Sequence, residues 1–125
     1  MVTTNADRTP TILVVDDDRL LRCLAVEVLA DEGYAVIGVG SAAEALARLQ
    51  GSPDMALLVT DINMPGMNGL ELVSVAQAQF PAMKLLIISG REQIDAGHLR
   101  QPGAFLRKPF SAQAFLTRVR QLIDP

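Results

Sequence analysis

The sequence predicts an α/β fold, five β-α units doubly wound into one five-stranded parallel sheet with helices on both faces. Three observations carry the prediction. Short apolar runs rich in branched residues recur along the chain, as strands buried on both faces require. Between them stand segments with the 3, 4 and 7 apolar spacing of amphipathic helices. The 125 residues, 50% of them hydrophobic, suffice for one core and are too few for two.

Thr11 to Val15 (TILVV) reads as the first strand. Arg19 to Glu32 turns helical, with Leu21, Leu24, Ala25 and Val28 as its main apolar stripe and Gly33 as its stop. Cys23, Val26 and Ala30 make a smaller stripe on the same helix, expected to pack on the final helix. Ala35 to Val39 (AVIGV) is the second strand. Ser41 with Glu44 three residues on forms a capping box for a helix over Ala42 to Gln50. Met55 to Thr60 is the third strand, followed by a loop from Asp61 to Asn68 that turns at Pro65–Gly66. Gly69 to Gln79 is helical through Leu70, Val73 and Ala76, and Pro81 marks its exit. Met83 to Ile88 and the short Ala104 to Arg107 are the last two strands. Ser111 caps the cleanest helix, which runs to Ile123 with Phe115, Val119, Leu122 and Ile123 as one stripe.

One place is weak. Between Ser89 and Gly103 only Ile94, Ala96 and Leu99 are apolar, and Gly97 and Pro102 interrupt, so a short or mobile fourth helix is expected there. The domain is expected to span residues 11–123, after a disordered polar tail over 1–10 and before a C-terminal end at 124–125.

With 14 acids against 11 bases the net charge is −3, which argues against direct DNA binding. The charge is uneven. Met1 to Glu71 holds 11 acids and 4 bases, a net of −7, while Leu72 to Pro125 holds 3 acids and 7 bases, a net of +4. No apolar run approaches the roughly 18 residues that would span a membrane. The polar start carries Asp7 and Arg8, so no secretory leader is expected there, and the single Cys23 forms no internal disulfide. A cytoplasmic location is expected.

In open parallel sheets, function gathers beyond the carboxyl ends of the strands. Asp16, Asp17 and Asp18 follow the first strand, Asp61 the third, Ser89 the fourth and Lys108 the fifth. Taken singly, each aspartate reads as a cap or turn residue, and Asp18 fits that role well. Together at one edge they would repel one another unless a cation neutralised them. An all-oxygen site favours Mg²⁺, and neither Cys23 nor His98 is placed as a softer ligand. Such a site suits phosphoryl transfer, with a carboxylate as nucleophile and an ammonium on the phosphoryl oxygens.

Four stretches, ILVVDDD, LLVTDINMPGMNGLEL, LLIISG and AFLRKPF, occur in that order. With them the chain resembles a response-regulator receiver domain of two-component signalling over nearly all of Thr11 to Ile123. The D-x-x-M-P-x-M-x-G stretch, with K-P-F downstream, is the most specific part. The resemblance implies a flavodoxin-like strand order, 2-1-3-4-5, and a signalling switch rather than an enzyme. By it, Asp61 would accept the phosphoryl group. Asp17, Asp61 and the backbone carbonyl of Asn63 would hold Mg²⁺ directly, and Asp16 through water. Lys108 would pair with the acids and then with the phosphoryl group. Ser89 would be the switch hydroxyl, Phe105 the switch aromatic, and the Lys108–Pro109 bond cis. The implied partners are a histidine kinase or histidine phosphotransfer protein, and a downstream protein. The smaller stripe of the first helix would then be an alternative docking surface for the kinase.

The chain departs from the family's commonest pattern in three places. Phe105 stands where tyrosine is frequent, which leaves a switch by packing alone. The stretch from Ser89 to Lys108 is a few residues short. Arg91 occupies a position that tunes dephosphorylation in the family. Elsewhere His98 reads as a solvated loop residue, and Arg118 and Arg120 as solvated charges. Output is expected through partner binding or by draining phosphate from a kinase. A receiver cut from a hybrid kinase or longer regulator, and a phosphorylation-independent pseudo-receiver, stand as alternatives. Retention of Asp16, Asp17, Asp61, Ser89 and Lys108 speaks against the pseudo-receiver. A haloacid-dehalogenase phosphatase needs an acid where Asn63 stands, and a flavodoxin-type cofactor binder needs a glycine-rich loop after the first strand.

Overall fold

The computed structural model describes residues 10–52, 54–62, 66, 69–90 and 103–124. Its elements in chain order are β1 (Thr11–Val15), α1 (Arg19–Asp31), β2 (Ala35–Val39), α2 (Ala42–Gly51), β3 (Leu57–Asp61), α3 (Gly69–Gln79), β4 (Lys84–Ser89), β5 (Gly103–Arg107) and α4 (Ala112–Ile123). All strand pairs are parallel, and the spatial order is β2-β1-β3-β4-β5. The chain first steps outward from β1 to β2, then returns past β1 to build the other side. That reversal opens a crevice at the carboxyl ends of β1 and β3.

Alternating side chains of each strand enter two cores. Leu13, Val15, Leu58, Leu85 and Ile87 meet Ala45, Leu49, Leu72 and Ala76 of α2 and α3. Ile12, Val14, Leu57, Val59, Leu86 and Ile88 meet Leu29 of α1 with Phe115 and Val119 of α4. A sheet covered on both faces needs apolar residues at every strand position, which is why these strands read as continuous runs.

The helix ends follow local chemistry. Asp18 caps α1 by accepting from the Leu20 and Leu21 amides, Ser41 caps α2 through the Glu44 amide, and Ser111 caps α4 through the Ala114 amide. Gly33 turns the chain out of α1 at φ +94°, a conformation that disfavours any Cβ.

The structure corrects several sequence expectations. β3 and β4 reach one residue further than their apolar runs, so Asp61 and Ser89 are last strand residues rather than first loop residues. Their backbones pair, Asp61 beside Ile88 and Ser89 beside Arg107, and pairing extends past the apolar signal. On α1 the inward line is Arg22, Ala25, Val26 and Leu29, with Val28 half-buried beside it, whereas Leu21 and Leu24 are 41% and 48% exposed. The half-buried stem of Arg22 faces Gly38 and its guanidinium faces Gly40. Cys23 and Ala30 are exposed, and only Val26 of the smaller stripe packs into the α1–α4 core. Arg120, though exposed as expected, pairs with Glu32, and half-buried Arg118 reaches the Phe105 carbonyl, so both tie α4 to its neighbours. The fourth helix expected between Ser89 and Gly103 and the N-terminal tail lie outside the described residues. Among the described residues, no helix is long and apolar enough to cross a membrane.

Candidate functional site

The sheet ladder delivers the polar residues to one edge. β1 runs into Asp16, β3 ends on Asp61, β4 ends on Ser89, and Lys108 follows β5. Cross-links hold these ends in register. The Ile62 amide donates to the Ile88 carbonyl at 3.1 Å, and the Lys108 amide to the Ser89 carbonyl at 2.7 Å. On the far side of Asp61, α3 begins directly against the strand end, where the Gly69 amide donates to the Ile62 carbonyl at 3.0 Å.

Asp16 and Asp61 are each only 8% exposed, while Asp17 is open to solvent. One carboxylate oxygen from each of Asp16, Asp17 and Asp61 lies within 4.8 Å of the others. Lys108 closes the opposite side, its Nζ 2.9 Å from Asp61 Oδ2. Among the described residues of the cluster, three carboxylates face one ammonium in a half-enclosed crevice. Burial, reinforced by Asp61 and Asp17, pushes the Asp16 carboxyl above its ordinary range, although the hydrogen bond from the Asp18 amide opposes this. Burial alone would lower the Lys108 ammonium. The hydrogen bond and charge of Asp61, with Asp16 and Asp18 behind it, outweigh that and hold it above the usual lysine value.

Among the described residues the donor set is entirely oxygen, and two of its members are buried. That combination fits a hard divalent cation such as Mg²⁺. A carboxylate held beside both that charge and an ammonium can act as a nucleophile toward phosphorus.

The family model for the response regulator receiver domain matches residues 12–120. The chain belongs to that family. It is 37% identical over 116 residues to the C4-dicarboxylate transport transcriptional regulatory protein DctD of Rhizobium meliloti, covering 90% of this chain and 25% of DctD. It is 32% identical over 124 residues to the probable transcriptional regulatory protein TcrX of Mycobacterium tuberculosis, covering 94% of this chain and 52% of TcrX. The chain thus spans about a quarter to a half of these relatives. Among solved structures it is similar to a response regulator receiver protein from Sinorhizobium medicae, with TM-score 0.84, 30% identity and coverage of 94% of this chain and 96% of that one. The receiver domain of NtrX from Brucella abortus gives TM-score 0.82 and 30% identity over 90% of this chain and 98% of that one.

In this receiver domain the structure gathers Asp16, Asp17, Asp61 and Lys108 into one cluster. Ser89 is buried at the neighbouring strand end. Phe105 lies half-buried on β5 against the α2–α3 core, opposite Ile87. The Lys108–Pro109 peptide is cis. Asn63, Pro65, Arg91 and His98 lie outside the described residues. A cavity of about 430 Å³ opens beside Asp61 and Lys108, walled by Leu21, Leu24, Val28, Val59, Phe110 and Phe115. Two residues with site roles carry no assignment in the sequence reading. Gly69 stands there as the last letter of the D-x-x-M-P-x-M-x-G stretch and the first residue of a helix, although a Cβ on it would overlap the Asp61 carbonyl oxygen. Arg22 donates from Nη1 to the Asp16 carbonyl at 2.9 Å, and its only sequence signal is the pair Gly38 and Gly40, in and just after the neighbouring strand.

Proposed function

We propose that this receiver accepts a phosphoryl group on Asp61 from a phosphohistidine donor, in a Mg²⁺-dependent reaction, and thereby switches partner binding. The observation that carries the reading is the placing of Asp61 between the Lys108 ammonium and the Asp16–Asp17 carboxylates. A carboxylate oxygen of Asp61 attacks phosphorus, the donor's P–N bond breaks, and the imidazole leaves with the electron pair. Mg²⁺ held by Asp17, Asp61 and the Asn63 carbonyl, with Asp16 acting through water, would neutralise the acids and the phosphoryl oxygens. Lys108 meets one phosphoryl oxygen and Ser89 donates its hydroxyl to another. Moving Ser89 and Lys108 inward frees space at β5 for Phe105 to repack, which shifts an existing equilibrium between two surfaces.

The donor's docking face in this reading is α1, where Leu20, Leu21 and Leu24 are 68%, 41% and 48% exposed and the apolar cavity opens next to the acceptor. In this reading the domain works in the cytoplasm, where such a donor would meet it. A second reading, favoured by the fraction of DctD and TcrX that the chain spans, makes it the receiver part of a longer regulator. Both share the chemistry at Asp61.

The test is intact mass after incubation with acetyl phosphate, with and without Mg²⁺, beside Asp61→Asn. One added phosphoryl group, lost without Mg²⁺ and in the variant, is expected. An adduct that persists in the variant would place the acceptor elsewhere.

The raised Asp16 carboxyl adds a pH prediction. A carboxyl whose folded pKa exceeds its unfolded value, near 3.8, stabilises the fold below that value, and this contribution is lost as pH rises through the folded pKa. Asp16→Asn mimics the protonated form and keeps an oxygen for the Asp18 amide. In metal-free protein its Tm should match wild type near pH 4 and exceed it by a few degrees, roughly, at pH 7. Scanning calorimetry across that range checks this, and a less stable Asp16→Asn at pH 7 would contradict it.

A further inference from the structure

Gly38 in β2 and Gly40 just after it are glycines that the backbone does not demand, since neither lies at positive φ. What they leave room for is a side chain from the next element. A Cβ on Gly38 would stand 3.2 Å from Arg22 Cγ, 3.4 Å from Cδ and 3.0 Å from Val26 Cγ2, and a Cβ on Gly40 would stand 3.0 Å from Arg22 Nη1. The stem of Arg22 therefore runs along the carboxyl end of β2, and its guanidinium ends on the Asp16 carbonyl at 2.9 Å.

Asp16 is held on every side. Its amide donates to the Val39 carbonyl at 3.2 Å, and its Oδ1 accepts from the Asp18 amide at 2.9 Å. The Arg22 bond is the one that grips the peptide group joining Asp16 to Asp17. Asp17 is exposed, yet its carboxylate must converge with two buried ones. Its aim depends on the plane of that peptide.

We propose that Arg22 is a positioning residue for the cation site: it fixes the Asp16–Asp17 peptide and so aims Asp17, and Gly38 and Gly40 are small to give it passage. The inference rests on reading the acidic cluster as a Mg²⁺ site. Its effect has a direction that charge alone would not give. A guanidinium near an acidic cluster repels Mg²⁺, so deleting it as a mere charge would tighten binding. Deleting it as a support loosens binding, as loss of an outer partner does at other metal sites.

Isothermal titration of MgCl₂ into the purified chain separates the cases. Arg22→Ala is expected to weaken Mg²⁺ binding by about tenfold. Gly40→Val, which pushes the guanidinium aside without removing it, should weaken binding in the same direction and add nothing further on top of Arg22→Ala. Val26→Ala, which loosens the same α1–β2 contact but leaves the Asp16 carbonyl bonded, should lower Tm and leave Mg²⁺ affinity unchanged. Equal or tighter Mg²⁺ binding by Arg22→Ala overturns the proposal. So do additive losses in the double variant, or an equal loss in Val26→Ala. If Arg22→Ala does not fold, Gly40→Val against Val26→Ala decides alone. A wild-type chain that takes up no Mg²⁺ refutes the metal reading itself, an outcome distinct from wild-type binding that Arg22→Ala leaves intact.

Discussion

Gly69→Ala is expected to unfold or severely weaken the domain and to abolish phosphorylation of what remains folded. A Cβ at this position would overlap the Asp61 carbonyl oxygen and stand 2.7 Å from Ile62 Cα and 3.0 Å from the Asp61 carbonyl carbon. All three are backbone atoms, so no side chain can turn away to make room. The first turn of α3 would have to lift off the end of β3, breaking the bond from the Gly69 amide to the Ile62 carbonyl. Overpacking of this kind costs about 1–3 kcal/mol, with the lost hydrogen bond in addition. Displacing Asp61 by even about 1 Å costs on the order of 100-fold in a reaction that depends on alignment. Urea denaturation and the rate of labelling by a small phosphodonor check the two effects separately. A Gly69→Ala protein with wild-type midpoint and rate would contradict the packing described.

Lys108→Ala is expected to slow phosphorylation by about 100-fold while tightening Mg²⁺ binding. Its ammonium is the partner 2.9 Å from Asp61 Oδ2, with its side chain 32% exposed. As charge builds on the phosphoryl oxygens, a donor already in place is worth about 10²–10³ in rate. Removing it takes away the ammonium that offsets Asp16, Asp17 and Asp61, which strengthens their hold on a divalent cation. Without metal the variant should lose about 1–2 kcal/mol, less than a fully buried pair because solvent reaches the lysine. Labelling kinetics at saturating Mg²⁺ give the rate, and titration calorimetry gives the affinity. Unchanged kinetics would remove Lys108 from the reaction.

The fold was legible where burial dictates residue type. Ile12–Val15, Leu57–Val59 and Leu85–Ile88 are covered on both sides, so hydrophobicity alone reveals them. Asp61 and Ser89 fall just beyond that signal because their ends are paired through backbone atoms, to which sequence is blind. The orientation of α1 was misread for a related reason. Leu21 and Leu24 look like core positions, but the inward line begins at the half-buried Arg22, which counts as polar in any pattern of side-chain types. The cluster of Asp16, Asp17, Asp61 and Lys108 was legible because the rule for parallel sheets places strand ends together. The tasks of Gly69, Gly38 and Gly40 were not. A glycine in sequence shows that a Cβ is absent, not which atom stands where it would be.

The central claim is that Asp61, and no other carboxylate of the cluster, carries the phosphoryl group. Its most direct test is to phosphorylate the chain in Mg²⁺, reduce the acyl phosphate with borohydride, and map the product by peptide sequencing in a mass spectrometer. Reduction converts a phosphorylated aspartate into homoserine and leaves free carboxylates unchanged. Homoserine at position 61 alone is the predicted result. Homoserine at 16 or 17, or none at all in a sample whose intact mass shows a phosphoryl group, would contradict the account.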